Sequence, residues 1–197
     1  MTASSPSEAA APATRYAYKA SLIGAAHQFE LTEEGFAFRF SGRSGVWRYA
    51  EIAAIRLSYR PVSMQSRRFR ADIHHLSGAR VAILSTTWQT AALMAPQDRD
   101  YRSFIVQLHA RMAKAGSRAA LSGGLGLNTY AAALVVLALL GTAMAGLLVR
   151  AIATGEFAGV LFIIGFTALF GWQVGGFVRR NRPLVYDFDQ LPEALLP

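Results

Sequence analysis

Two uncharged runs, Ala119 to Val149 and Phe157 to Val178, parted only by Arg150 to Glu156, constrain this chain more than anything else in it. A helix rises about 1.5 Å per residue, so some 20 apolar residues cross a hydrocarbon core of about 30 Å. Residues 130–150 and 156–178 both meet that length. The 118 residues that precede the first run are too few to bury two helices that are apolar on every side. The expectation is a transmembrane hairpin, with a linker at 117–129 before it and a tail at 179–197 after it.

What remains has room for one compact unit, placed at 15–116, behind a leader at 1–14 made of Ala, Ser, Thr and Pro with the single acid Glu8. The leader cannot bury enough apolar surface to offset the entropy of ordering, and so reads as disordered. It has neither a basic nor an apolar region of the kind a cleavable signal needs, which leaves the first apolar run to direct insertion after a cytosolic unit has been made. The net charge of +8 rests on Arg, with Lys only at Lys19 and Lys114. Beside two apolar spans, such a balance points to anionic headgroups and cytoplasmic loops rather than to nucleic acid. Absence of cysteine excludes disulfides and thiolate metal sites.

Within 15–116 the pattern has period two. Tyr16 to Ile23 and His27 to Leu31 alternate. After the turn Thr32-Glu33-Glu34-Gly35 come Phe36, Phe38 and Phe40, separated by Ala37 and Arg39. Val46 to Tyr49, Ile52 to Tyr59, Phe69 to Leu76 and Arg80 to Leu84 continue as strands, the last two joined across Ser77-Gly78-Ala79. Thr86 to Met94 fits a last short strand. Then Tyr101, Phe104, Ile105, Leu108 and Met112 fall on one stripe of a helix at 97–115, with Asp98 and Asp100 at its start and Arg111 and Lys114 at its end. With no helices between the strands, the expectation is a small antiparallel sandwich or open barrel capped by one helix.

The Gly35-Phe36-Ala37-Phe38 strand start, the Tyr49-Ala50-Glu51-Ile52 strand entry and the closing helix Tyr101 to Met112 resemble a bacterial pleckstrin-homology-like domain over about half the chain, Tyr16 to Ala115. The resemblance implies a bacterial inner-membrane protein in which this domain precedes the hairpin. In the eukaryotic members inositol phosphates are held by basic residues near the first two strands. Here Arg68 and Arg70 belong to a later loop, so that specificity does not carry over to them.

Arg111, Lys114 and Arg118 precede the first span and Arg179, Arg180 and Arg182 follow the second, whereas the turn between them has Arg150 opposed by Glu156. Basic residues favour the cytoplasmic side, which puts both termini there. Gly141 with Ala145, and Gly171 with Gly175, stand four apart, a spacing that lets helices approach closely, within the hairpin or against a partner or second copy. Neither span has a charge at its centre, against an ion or proton pathway.

Chemistry is sparse. His74 and His75 are adjacent in a strand and point to opposite faces, His27 and His109 stand alone, and all four read as surface or boundary residues rather than metal ligands. No nucleophile elbow, phosphate loop or catalytic triad is present, and Ser122-Gly123-Gly124-Leu125-Gly126 reads as part of the linker. No cofactor is implied. The strongest candidate is basic: Arg60, Arg67, Arg68 and Arg70 around one loop, able to hold a tethered unit against anionic lipid or to lie solvated. In the tail, Tyr186, Phe188 and Leu191 recur among prolines, too apolar for a solvated end, and are expected to dock on the β unit or on a partner. The function expected from these residues is a non-catalytic, membrane-held interaction or sensing module, such as an accessory subunit or scaffold of a membrane assembly. Anionic-lipid binding through the Arg60 to Arg70 loop is the alternative, and an enzyme completed by a partner the third.

Overall fold

The structure is a computed structural model that describes residues 14–21, 24–40, 42–60, 67–90 and 94–197. The leader expected at 1–14 lies outside these but for Thr14, as do Ile23, the middle of the loop after Tyr59 and residues 91–93.

Strands β1 (Arg15–Tyr18), β2 (His27–Leu31), β3 (Phe36–Phe40) and β4 (Arg43–Trp47) form an antiparallel meander. The turn between β2 and β3 closes on Thr32, whose hydroxyl donates to Gly35 O at 2.9 Å and accepts from Gly35 N at 3.1 Å. Position 35 has to be glycine because a Cβ there would stand 2.1 Å from Trp47 O. A second meander follows, β5 (Ile52–Tyr59), β6 (Phe69–His75) and β7 (Arg80–Leu84), then the small hairpin β8 (Thr86–Trp88) and β9 (Met94–Pro96), and helix α1 (Asp98–Lys114).

Alternation along the strands sends Tyr16, Phe29 and Phe36 from the first sheet and Ile55, Ile73 and Ile83 from the second into one core, which α1 completes with Tyr101, Phe104, Leu108 and Met112. Each such side chain contributes about 1.5–3 kcal/mol on burial. The two sheets form no closed barrel. At one seam the free edge of β7 is met by side chains instead of a strand: the Tyr18 hydroxyl donates to Ala82 O at 2.8 Å and the Tyr16 hydroxyl to Leu84 O at 2.6 Å. Burial pushes the Tyr18 phenol up to about 12, partly offset by Arg70 and Arg68.

The second sheet is not purely antiparallel, contrary to the expectation. After α1 the chain returns as β10 (Ala120–Gly123), which pairs in parallel with β5, Leu121 beside Ile55 and Gly123 beside Leu57. The path through β6 to α1 supplies the long crossover that parallel pairing needs. The segment expected as a linker at 117–129 therefore contains a strand. Next come α2 (Leu127–Ala153) and α3 (Phe157–Arg180), two helices long and apolar enough to cross a membrane, no residue of which is buried in the protein. Beyond them β11 (Leu184–Val185) pairs antiparallel with β10. The helix hairpin is thus an insertion between two neighbouring strands of one sheet.

Candidate functional site

The residues around Asn181 decide how the hairpin meets the sheet. Asn181 is fully buried where α3 ends. Its Oδ1 accepts from Tyr59 N at 3.1 Å, its Nδ2 donates to Phe177 O at 3.2 Å, and its own carbonyl accepts from Leu125 N at 2.9 Å. Gly124 N donates to Leu57 O at 2.8 Å. One buried amide so joins the end of α3, the entry to α2 and the end of β5, leaving no polar atom of its own unpaired. The Arg180 guanidinium lies over the Tyr59 ring, 5.1 Å from its centre.

Tyr59 pairs with Phe69 across β5 and β6, so the start of β6 is brought to the same end of the sheet. There Arg67, Arg179 and Arg180 line a cleft of about 340 Å³ with Phe69, Leu196 and Glu193. The C-terminal end of a helix carries partial negative charge, which helps hold Arg179 and Arg180 together. Glu193 is drawn outward to Arg102 at 3.4 Å, and its side chain is 86% exposed. Burial raises the Asp98 carboxyl, partly offset by the charge of Arg67. Guanidinium groups stay protonated and offer planar forks of donors, so this arrangement is chemically an anion receptor for phosphate or carboxylate.

Of the four arginines singled out in the sequence, the structure brings one to this cleft. Arg60 is exposed where β5 ends. Arg68 turns away, its Nε donating to Thr86 Oγ1 at 3.0 Å and its terminal nitrogen to Met94 Sδ at 2.8 Å, and desolvation lowers its pKa. Arg70 is bound to Asp72 on the same strand, its Nε 2.9 Å from both carboxylate oxygens. Arg67 alone joins Arg179 and Arg180, two residues that sequence reasoning used only to orient the hairpin. The signal that could have found them is the tail, whose apolar residues had to go somewhere.

They go into the β unit. Tyr186, Leu195 and Leu196 are buried, and Phe188 and Leu191 pack half-buried against the core. Tyr186 meets His109 on α1. His109 Nδ1 lies 2.8 Å from Ile105 O, which can only accept, so Nδ1 carries the proton and Nε2 accepts from the Tyr186 hydroxyl at 3.0 Å. His109 is thus a core residue, not the boundary residue its place on the helix stripe implied. Burial lowers its pKa. Beyond their own helix backbone and chain neighbours, Gly141, Gly171 and Gly175 have no described atom within 4 Å of where a Cβ would stand, so no close approach of α2 to α3 is made at these glycines, and Ala145 is exposed.

In physical terms these features define a mixed-sheet β unit with an inserted apolar helix hairpin and a basic cleft at its root. No family model, no curated protein and no solved structure matches the chain.

Proposed function

We propose that this protein is a non-catalytic, membrane-anchored interaction module of a bacterial inner membrane, its β unit pleckstrin-homology-like and both termini cytoplasmic. The observation that carries the reading is the insertion of two apolar helices, with no residue buried in the protein, between paired strands β10 and β11. A hairpin rooted in a sheet holds the β unit in a set orientation at a bilayer surface, where a flexible tether would let it swing. Two antiparallel meanders followed by α1 support the pleckstrin-homology-like assignment. The Arg and Lys residues flanking the hairpin support the orientation.

A second reading, anionic-lipid binding around the Arg60 to Arg70 loop, is favoured by one observation: β5 ends and β6 begins beside the root of the hairpin.

The chain has no cysteine, so a single Cys can report topology. In intact cells Thr154→Cys is expected to react with an impermeant maleimide and Ser77→Cys is not; the reverse pattern overturns the orientation. The full chain, extracted from its own membranes in mild detergent, is expected to retain a protein partner in stoichiometric amount. Recovery with lipid alone removes the accessory-subunit reading in favour of the second.

A further inference from the structure

We propose that the cleft lined by Arg67, Arg179 and Arg180 binds the phosphate of an anionic glycerophospholipid headgroup. The inference rests on the membrane reading above and goes beyond it in assigning a site and a ligand class.

Depth comes first. Arg179 and Arg180 directly follow the apolar run that ends at Val178. A run of this length spans the hydrocarbon core, about 30 Å, and delivers the next residues to the headgroup layer. Arg67 comes from a distant part of the sequence, two residues before β6, and reaches the same level because Tyr59 pairs with Phe69 and Asn181 ties the end of β5 to the end of α3. Basic residues on one helix end would be ordinary snorkelling; convergence of Arg67, from the segment just before β6, with them makes a receptor.

Charge comes second. Glu193 is engaged by Arg102, and Asp98 feels the charge of Arg67. Among the described residues neither Arg179 nor Arg180 has a carboxylate within ion-pair distance. A phosphodiester carries one negative charge on two oxygens, the geometry that guanidinium forks match. Arg180 is already fixed over Tyr59, so less side-chain freedom is lost on binding. Phe69 and Leu196 add apolar atoms to the cleft lining, where the glycerol carbons would sit.

The test uses the full chain in lipid nanodiscs containing phosphatidylcholine and phosphatidylglycerol, with retained lipids counted by native mass spectrometry. Selective retention of phosphatidylglycerol is expected. Near the surface each arginine is worth about 1 kcal/mol, or about fivefold, so Arg67→Gln with Arg179→Gln is expected to lower that retention about 25-fold. The control Arg118→Gln with Arg182→Gln, basic residues outside the cleft lining, is expected to change it less than about twofold. Arg67→Lys with Arg179→Lys keeps the charge and guards against misfolding; it is expected to retain an intermediate amount. Equal loss in the control pair would mean diffuse surface charge and overturns the site. Unchanged retention in the Gln pair overturns it as well. Displacement of the lipid by inorganic phosphate, with phosphate bound in its place, overturns the lipid assignment in favour of a free phosphate ligand. Resistance of the chain to alkaline extraction separates the two failures: an extracted chain refutes the membrane reading itself, and an embedded chain without lipid selectivity refutes only the cleft.

Discussion

In the β unit Phe36, Phe104 and Leu108 have no contact with solvent, whereas in the helix hairpin Phe162, Leu161 and Trp172 stand 71, 72 and 82% exposed. Both regions are rich in large apolar side chains. One has enough partners within the chain to bury them, and the other has only its twin helix. The β unit is therefore held by its own packing, while on the proposed membrane reading the hairpin depends on a surrounding that dissolves apolar surface. The two meet at a short seam, Gly124, Asn181 and the β10–β11 pair, where hydrogen bonding replaces packing as the organising force.

The sharpest break of that comparison is a matched pair of truncations. Phe104 touches the rings of Tyr16 and Phe36, at 5.8 and 6.5 Å between centres. Phe104→Ala is expected to cost about 3–5 kcal/mol, because a void opens that the packed sheets cannot close. Among the described residues the one ring contact of Phe162 is with Phe166, at 6.1 Å, so Phe162→Ala is expected to cost about 0.5 kcal/mol or less. Denaturant unfolding of the full chain in detergent, followed by near-ultraviolet circular dichroism, measures both. Similar losses would mean that the hairpin packs internally as the β unit does.

Glycines sharpen the seam next. Gly124 has φ +78°, and a Cβ there would come within 2.4 Å of Arg182 O and 2.5 Å of Asn181 O. Those are backbone atoms fixed by the strand pair, so Gly124→Ala is expected to cost about 2–4 kcal/mol and to expose the 117–129 segment to limited proteolysis. Gly175→Ala in α3 meets nothing within 4 Å and is expected to be neutral or to gain up to about 1 kcal/mol from helix propensity. A loss at Gly175 in the detergent-solubilised chain would reveal a helix partner seated on that face.

These contrasts also explain what could be read from the sequence. Phe36, Phe38 and Phe40 announce a strand by local alternation, the Tyr101 to Met112 stripe announces a helix, and the runs around Leu139 and Phe166 announce apolar helices by length alone. Each is a local signal. Strand β10 is four residues, Ala-Leu-Ser-Gly, with a single large apolar side chain, and its parallel partner lies far back in the chain. Nothing local distinguishes it from a linker. The cleft is hidden for the same reason: Arg67 and Arg179 are brought together by Asn181 and by the burial of Leu195 and Leu196. Conversely Arg68 and Arg70 look like a site in the sequence, because the short-range partners that occupy them, Thr86, Met94 and Asp72, become visible only once the strands pair.

The tail contact breaks more gently. Tyr186→Phe removes the hydrogen bond to His109 and strands a buried Nε2, at an expected cost of about 1–2 kcal/mol in denaturant unfolding. The same pair gives a pH dependence. Burial holds the folded-state pKa of His109 below the usual 6.5, so below pH 6.5 the unfolded chain takes up the proton first. Stability therefore declines as pH falls from 6.5 towards the lowered folded value, and is fully present above 6.5. His27 is shifted in the same direction by partial burial, so His109→Leu is expected to flatten the slope without abolishing it. An unchanged slope in His109→Leu would mean that the ring does not titrate between the two states.

The smallest effect tests how each region treats polar atoms. Tyr101 lies fully buried in the core, and among the described residues its hydroxyl has no hydrogen-bond partner to offset the desolvation of that oxygen. In the hairpin Thr142 faces outward, and its hydroxyl donates to Ala138 O at 3.0 Å, four residues back in the same helix. An apolar surrounding offers a hydroxyl nothing else, and the helix supplies its own acceptor. Tyr101→Phe keeps the ring, with its edge contact to Tyr16 at 6.1 Å, and is expected to leave stability unchanged or raise it by about 1 kcal/mol. Thr142→Val exchanges a satisfied hydroxyl for a methyl and is expected to shift stability in detergent by less than about 0.5 kcal/mol. A clear loss in Tyr101→Phe would show that a buried water partners the hydroxyl, and the core would then have to be treated as polar at its centre. A clear loss in Thr142→Val would place a neighbouring helix against that face, and the hairpin would no longer be the region without internal partners.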